Sequence, residues 1–84
     1  MTDADSTDIL VFADTLRVLR PLGDPEADLA VQNAINELHV LASVATSTPE
    51  AASANYIEAM ELYHRTKKVR RAALILLRME GRLQ

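Results

Sequence analysis

The residues with the strongest chemical character in this chain are five cations that lie close together in its last third. The segment Arg65-Thr66-Lys67-Lys68-Val69-Arg70-Arg71 places five positive charges within seven residues. Cations at this density contact phosphate groups or acidic protein surfaces, and they also occur as the solvated face of a helix. The run contains no aromatic residue, which disfavours binding to single-stranded nucleic acid. We therefore predict a partner-binding basic patch that consists of Arg65, Lys67, Lys68, Arg70, Arg71 and Arg78.

A second candidate for chemistry is the pair Glu61 and His64, whose spacing matches the metal ligands of di-iron helix bundles. On a helix, however, both side chains point about 100–160° away from the side that carries Tyr56 and Tyr63, so they face solvent. The chain has no cysteine and no Gly-rich phosphate loop. The sequence therefore predicts no catalytic residue, no metal site, no cofactor and no small-molecule substrate, and we interpret the protein as a non-enzyme.

Charge is strongly segregated along the 84 residues. Residues 1–61 carry eleven acidic and two basic side chains, a balance of −9, whereas residues 62–84 carry one acidic and seven basic, a balance of +6. The basic end can therefore pair with an acidic partner surface or with the acidic body of a second copy. The chain shows neither a signal peptide nor a membrane-length apolar stretch, and we expect a cytoplasmic protein that does not enter a membrane.

Three helices position these residues. We predict a disordered acidic N-terminus over residues 1–7 and one helical domain over residues 8–84, with helices at about 8–20, 25–45 and 49–80. Asp24-Pro25 and Thr48-Pro49 are typical helix starts, and Gly81 is a typical stop. The predicted class is all-α: an αα-hairpin followed by a long third helix, either straight in a three-helix bundle or kinked near residue 66 into a fourth helix. The predicted core consists of Ile9, Phe12, Leu16, Leu19, Val31, Ile35, Leu38, Leu41, Tyr56, Met60 and Tyr63.

The apolar direction of the third helix turns by about a third of a turn between its two halves, at 100° per residue. Its second half carries the apolar stripe Val69, Ala73, Leu76 and Leu77. A kink near Thr66 would fold this stripe onto the hairpin, whereas a straight helix would leave it as an oligomer interface. We favour a homodimer, because no Pro, Gly or Ser pair marks a kink there. Val40 and Val44 are predicted to form a secondary apolar surface.

These features favour a small macromolecular interaction module that acts by protein–protein binding, as an adaptor, regulator, chaperone or phage-type inhibitor. Its expected partners are a second copy of itself and an acidic protein surface. The alternative is a nucleic-acid-binding regulator that uses the basic run at residues 65–71.

Overall fold

The chain folds into three helices with no strand among the residues that the structure, a computed structural model, describes: 6–44 and 47–81. The helices are α1 (Ser6–Arg17), α2 (Pro25–Ser43) and α3 (Pro49–Met79). The predicted all-α class and the three-helix bundle are confirmed.

Helices α2 and α3 begin at the predicted caps. The side chain of Asp24 accepts a hydrogen bond from the Ala27 N–H at 3.2 Å, and Thr48 Oγ1 accepts one from the Ala51 N–H at 3.1 Å. Each cap satisfies a backbone donor that the first helical turn leaves without an intrahelical partner. At the other end of α3, Gly81 has a φ of 69°, a left-handed conformation that glycine adopts without steric cost.

Helix α1 is offset from its predicted bounds, because it begins at Ser6 and ends at Arg17. Pro21 limits how far α1 can continue, since a proline disfavours helical conformation in the residue that precedes it. Most of the predicted N-terminal segment, residues 1–5, lies outside the described residues. The same is true of Ala45, the predicted last residue of α2.

The loop between α1 and α2 is fastened by Asp28. Its carboxylate accepts hydrogen bonds from the backbone N–H groups of Leu22 at 2.8 Å and Gly23 at 3.0 Å. Gly23 has a φ of 85°, which lets the chain turn tightly between the two helices. The loop thereby sets the antiparallel geometry of the hairpin.

Aromatic contacts dock α1 on α3. The Phe12 ring stacks on Tyr63 with ring centroids 4.8 Å apart, and its centroid lies 5.6 Å from that of Tyr56. Farther along, the side chain of Arg70 reaches the carbonyl of Arg20. A later residue of the first segment thus contacts a later residue of α3, so α1 runs parallel to α3. Helix α2 runs antiparallel to both.

The core lies where the three helices meet. Its buried members are Ile9, Ala13, Leu16, Ala34, Ile35, Leu38, Leu41 and Ala59. Five of these are aliphatic residues of the predicted core, whereas the three alanines were not in that prediction. Partly buried residues that pack around this centre include Phe12, Leu19, Val31, Tyr56 and Tyr63, all of which were predicted. Met60 is half-buried.

Helix α3 runs the length of the molecule. Its 31 residues correspond to about 46 Å at 1.5 Å per residue, and the molecule measures 49 × 18 × 15 Å. By the same rise, the 12 and 19 residues of α1 and α2 span about 18 and 28 Å. The two shorter helices therefore leave much of the surface of the second half of α3 exposed.

Candidate functional site

A single buried face runs along α3, and the candidate surfaces lie around it. Ala59 and Leu77 are both buried, and the interval between them equals five full helical turns. Thr66 lies in the same direction and is also buried, with its hydroxyl donating to the Leu62 carbonyl at 2.8 Å. The buried face therefore does not rotate by a third of a turn, because Thr66 and the half-buried Arg70 continue it. Helix α3 is unbroken, and the described residues contain no fourth helix.

The predicted basic patch divides into exposed cations and one cation that is engaged within the chain. Arg65, Lys67, Lys68, Arg71 and Arg78 are exposed. Arg70 is half-buried, and its Nη2 donates a hydrogen bond to the Arg20 carbonyl at 2.6 Å. This places a positive charge close behind the C-terminal end of α1, where the helix dipole favours cations. Arg70 therefore supports the fold, and the other five cations form the exposed patch.

The exposed cations lack carboxylate partners in the part of the chain that the structure describes. There, the ion pair that forms joins Arg17 to Asp14 at 3.1 Å. Lys67 contacts an aromatic ring instead, with its Nζ 5.3 Å from the centroid of Tyr63. Within residues 6–44 and 47–81 the acidic body thus forms no ion pair with these cations, which leaves them available to an external anion.

Two adjoining depressions border the patch. The first, of about 180 Å³, is lined by His64, Lys67, Lys68 and Arg71. The second, of about 230 Å³, is lined by Leu19, Lys67, Arg70, Arg71 and Leu74. Lys67 and Arg71 line both depressions. The first is lined by three cations and a histidine, and the second, which we call the aliphatic depression, also contains two leucines.

The predicted oligomer interface is exposed in part. Val69 and Leu76 are exposed, Leu76 by 57%, but Ala73 is half-buried and Leu77 is only 5% exposed. Leu77 is covered because the second half of α3 packs against the start of α2, where Ala27 is buried too. Leu77 is therefore part of the fold rather than of an open interface.

Three further apolar residues, which were not predicted for the oligomer interface, are exposed in the second half of α3. Ala72, Ile75 and Met79 are all exposed on the outer side of α3. Ala72 and Met79, together with the two predicted residues Val69 and Leu76, form what we call the apolar strip: Val69, Ala72, Leu76 and Met79. The spacing of three, four and three residues is that of the seam positions in a coiled coil, and this periodicity was visible in the sequence.

A shallow groove of about 390 Å³ runs along one side of the apolar strip. Its walls contain Val69, Leu76 and Leu77 from α3, and Glu26 and Ala27 from the start of α2. The groove has an acidic rim, because Asp24 and Glu80 also line it. The acidic groove and the basic depressions therefore lie on different sides of the same helix.

The predicted secondary apolar surface lies on the outer side of α2. Val40 is 60% exposed and Val44 is also exposed. Leu29, which is 58% exposed, lies within about 60° of both on α2. The outer side of α2 thus carries three isolated apolar side chains, without the close spacing of the apolar strip.

The pair considered for metal binding, Glu61 and His64, is exposed. Within residues 6–44 and 47–81, no three His, Cys, Asp or Glu side chains come together as potential metal ligands. In the same ranges, no helix combines the length and the apolar content that a bilayer crossing requires.

Comparison with known proteins yields no relative, since the chain matches no protein-family model, no curated protein and no solved structure.

Replacing Arg70 with Gln is expected to lower the free energy of unfolding by about 1 kcal/mol, because it removes a charge-assisted hydrogen bond and a helix-end cation. Urea denaturation measures the loss. Arg71→Gln is the matched control, since Arg71 is exposed on the same helix, and it should change stability by less than about 0.5 kcal/mol. Equal losses at both positions would contradict the structural role of Arg70.

Proposed function

We propose that this protein is a small non-catalytic interaction module that acts by protein–protein binding through the second half of α3, and that it forms a homodimer. The observation that carries the proposal is the exposed apolar strip. Leu76 lies 100° around α3 from the buried Leu77, and Met79 lies 160° from it. Neither side chain can therefore reach the core of its own chain.

A second helix is the partner that suits this strip. Side chains that repeat at intervals of three and four residues pack into the gaps of a neighbouring helix. A contiguous apolar patch of this kind marks an interaction site on a protein surface. A two-fold dimer would let the same strip on both copies cover itself. An adaptor, regulator, chaperone or inhibitor would use such a surface without any catalytic group.

Light scattering over a range of concentrations tests the homodimer. We expect a mass of about twice the 9.3 kDa chain mass at micromolar concentration. Leu76→Glu should raise the dimer dissociation constant by at least about a hundredfold, because each copy loses a buried leucine and gains a charge at the interface. The variant should keep its helical circular dichroism, since Leu76 is exposed in the single chain.

Leu29→Glu is the matched control for this experiment. It introduces the same side chain at nearly the same exposure, 58% against 57%, but on α2. We expect it to leave the mass unchanged. A wild-type mass near that of a single chain at every concentration would rule out the homodimer.

A nucleic-acid-binding regulator is the second candidate, and it is favoured because no described carboxylate forms an ion pair with the exposed cations of the patch. A helix with several unpaired cations can contact phosphates and release their counterions. In that case the affinity for a DNA duplex should fall steeply as salt rises, and Lys67→Gln with Arg71→Gln should flatten this dependence. A weak affinity that changes little with salt would exclude this candidate.

A further inference from the structure

The two basic depressions on α3 form one composite site. They share Lys67 and Arg71, and the aliphatic one holds about 230 Å³, several times the roughly 30 Å³ that one water molecule occupies in the liquid. A ligand for the whole site must therefore combine negative charges with an apolar group.

We infer that this composite site docks an acidic amphipathic helix of a partner protein. An aliphatic side chain of that helix enters the depression beside Leu19 and Leu74, and its carboxylates pair with Lys67, Lys68 and Arg71. The inference rests on the proposed function, because it names the chemistry of the protein that the module binds.

Charge and spacing on α3 fit a helical ligand. His64, Lys67, Lys68 and Arg71 follow the i, i+3, i+4, i+7 pattern, so they line one side of α3 over about 10 Å. A helix laid along this side can offer carboxylates at the same intervals. Lys67, Lys68 and Arg71 form no ion pair among the described residues, so a partner carboxylate does not have to displace an internal one.

Arg70 makes the aliphatic depression a fixed feature. Its guanidinium is held by the Arg20 carbonyl at 2.6 Å, and it forms part of the wall of the depression. Leu19, which lines the same depression, packs against the hydrophobic core. The shape that receives the aliphatic side chain is therefore present before the partner binds, which reduces the entropic cost of binding.

The lining of the site favours an acidic helix over a phosphate backbone. A nucleic acid would leave Leu19 and Leu74 without a matching group. The ring of Tyr63 is not free for base stacking, because it is stacked on Phe12 and Lys67 lies over it. The rest of the chain is also acidic, with a net charge of −3 overall, which repels an extended polyanion.

The composite site stays accessible in the proposed dimer. Lys67 lies about 180° around α3 from Leu76, and Arg71 lies about 140° from it. Self-association through the apolar strip and binding of an acidic helix therefore use different sides of α3, and each can be disrupted separately.

A synthetic helical peptide tests the inference. The probe carries Leu on one face and Glu at i, i+3, i+4 and i+7 beside it, with a fluorescent label for anisotropy. We expect it to bind the full chain, and Lys67→Gln with Arg71→Gln to weaken it by about tenfold. The matched control, Arg65→Gln with Arg78→Gln, removes two exposed charges outside both depressions and should change affinity by less than about threefold.

A second peptide and a DNA duplex separate the apolar contribution from general electrostatics. The same peptide with Ala in place of Leu keeps its charge and should bind about tenfold more weakly, because it loses the aliphatic anchor. Equal binding of both peptides, equal losses in both pairs of variants, or tighter binding of the duplex than of the peptide would each overturn the inference.

Failure of the homodimer proposal can be distinguished experimentally from failure of the composite site. Leu76→Glu should dissociate the dimer and leave the affinity for the peptide unchanged. A monomeric wild type that still binds the peptide would contradict only the proposal of a homodimer. A dimer that does not bind the peptide would contradict only the proposal of the composite site.

Discussion

Replacing Leu38 with Ala is expected to lower the free energy of unfolding by roughly 2–5 kcal/mol. Leu38 is fully buried and, with Leu16, is one of the two largest fully buried side chains among the described residues. Its removal leaves a cavity between three helices, and the surrounding side chains can fill that cavity only in part. A domain of this length has a total stability of about 4–13 kcal/mol, so the variant loses a large share of it.

Urea denaturation at one fixed protein concentration measures this loss, since self-association would add to apparent stability at higher concentration. Val40→Ala is the control, because Val40 lies on the same helix but is 60% exposed. This variant should lower the free energy of unfolding by less than about 0.5 kcal/mol, and the higher helix propensity of alanine offsets part of that loss. A loss at Leu38 no larger than that at Val40 would mean that α2 turns a different face to the core.

The starts of α2 and α3 could be predicted because their causes are local. Asp24 and Thr48 each accept a hydrogen bond from a backbone group three residues ahead, and a proline follows each cap. The conformation of the loop after α1 depends on a more distant group. Asp28 holds the backbone of Leu22 from the next helix, and this contact has no signature in the spacing of α1 itself.

The direction of the buried face of α3 was harder to predict, because its buried positions hold small or polar residues. Ala59 and Thr66 are buried, whereas exposed positions on the same helix hold Ile57, Ile75 and Leu76. A pattern based on large apolar side chains therefore follows the outer surface in the second half of α3. Small residues let neighbouring helices approach closely, and the large ones remain exposed on the outer surface.

In the candidate site, too, the surroundings of single residues could not be predicted from the sequence. The cluster of charges is visible in the sequence, but the acceptor for Arg70, the Arg20 carbonyl, lies fifty residues earlier in the chain. Leu76 and Leu77 are adjacent and chemically identical, yet they are 57% and 5% exposed. What separates them is the position of α2 beside α3, which depends on the tertiary fold.

Replacing Ala59 with Asp is expected to unfold the domain or to lower its stability by roughly 3–5 kcal/mol, because an uncompensated charge would be buried. Ala59 has no exposed surface and belongs to the core cluster. The nearest turns of α3 carry Asn55, Leu62 and Tyr63, none of which supplies a positive charge. Thermal and urea denaturation followed by circular dichroism measure the loss.

Ala54→Asp is the matched control for Ala59→Asp, since it makes the same substitution at an exposed position of the same helix. Aspartate lowers helix propensity at either site by about 0.7 kcal/mol, so the difference between the two variants isolates the cost of burial. We expect Ala54→Asp to fold and to lose about 1 kcal/mol or less. A similar small loss at both positions would show that Ala59 faces solvent, and then α1 and α2 could not pack on α3 along the face that also buries Thr66 and Leu77.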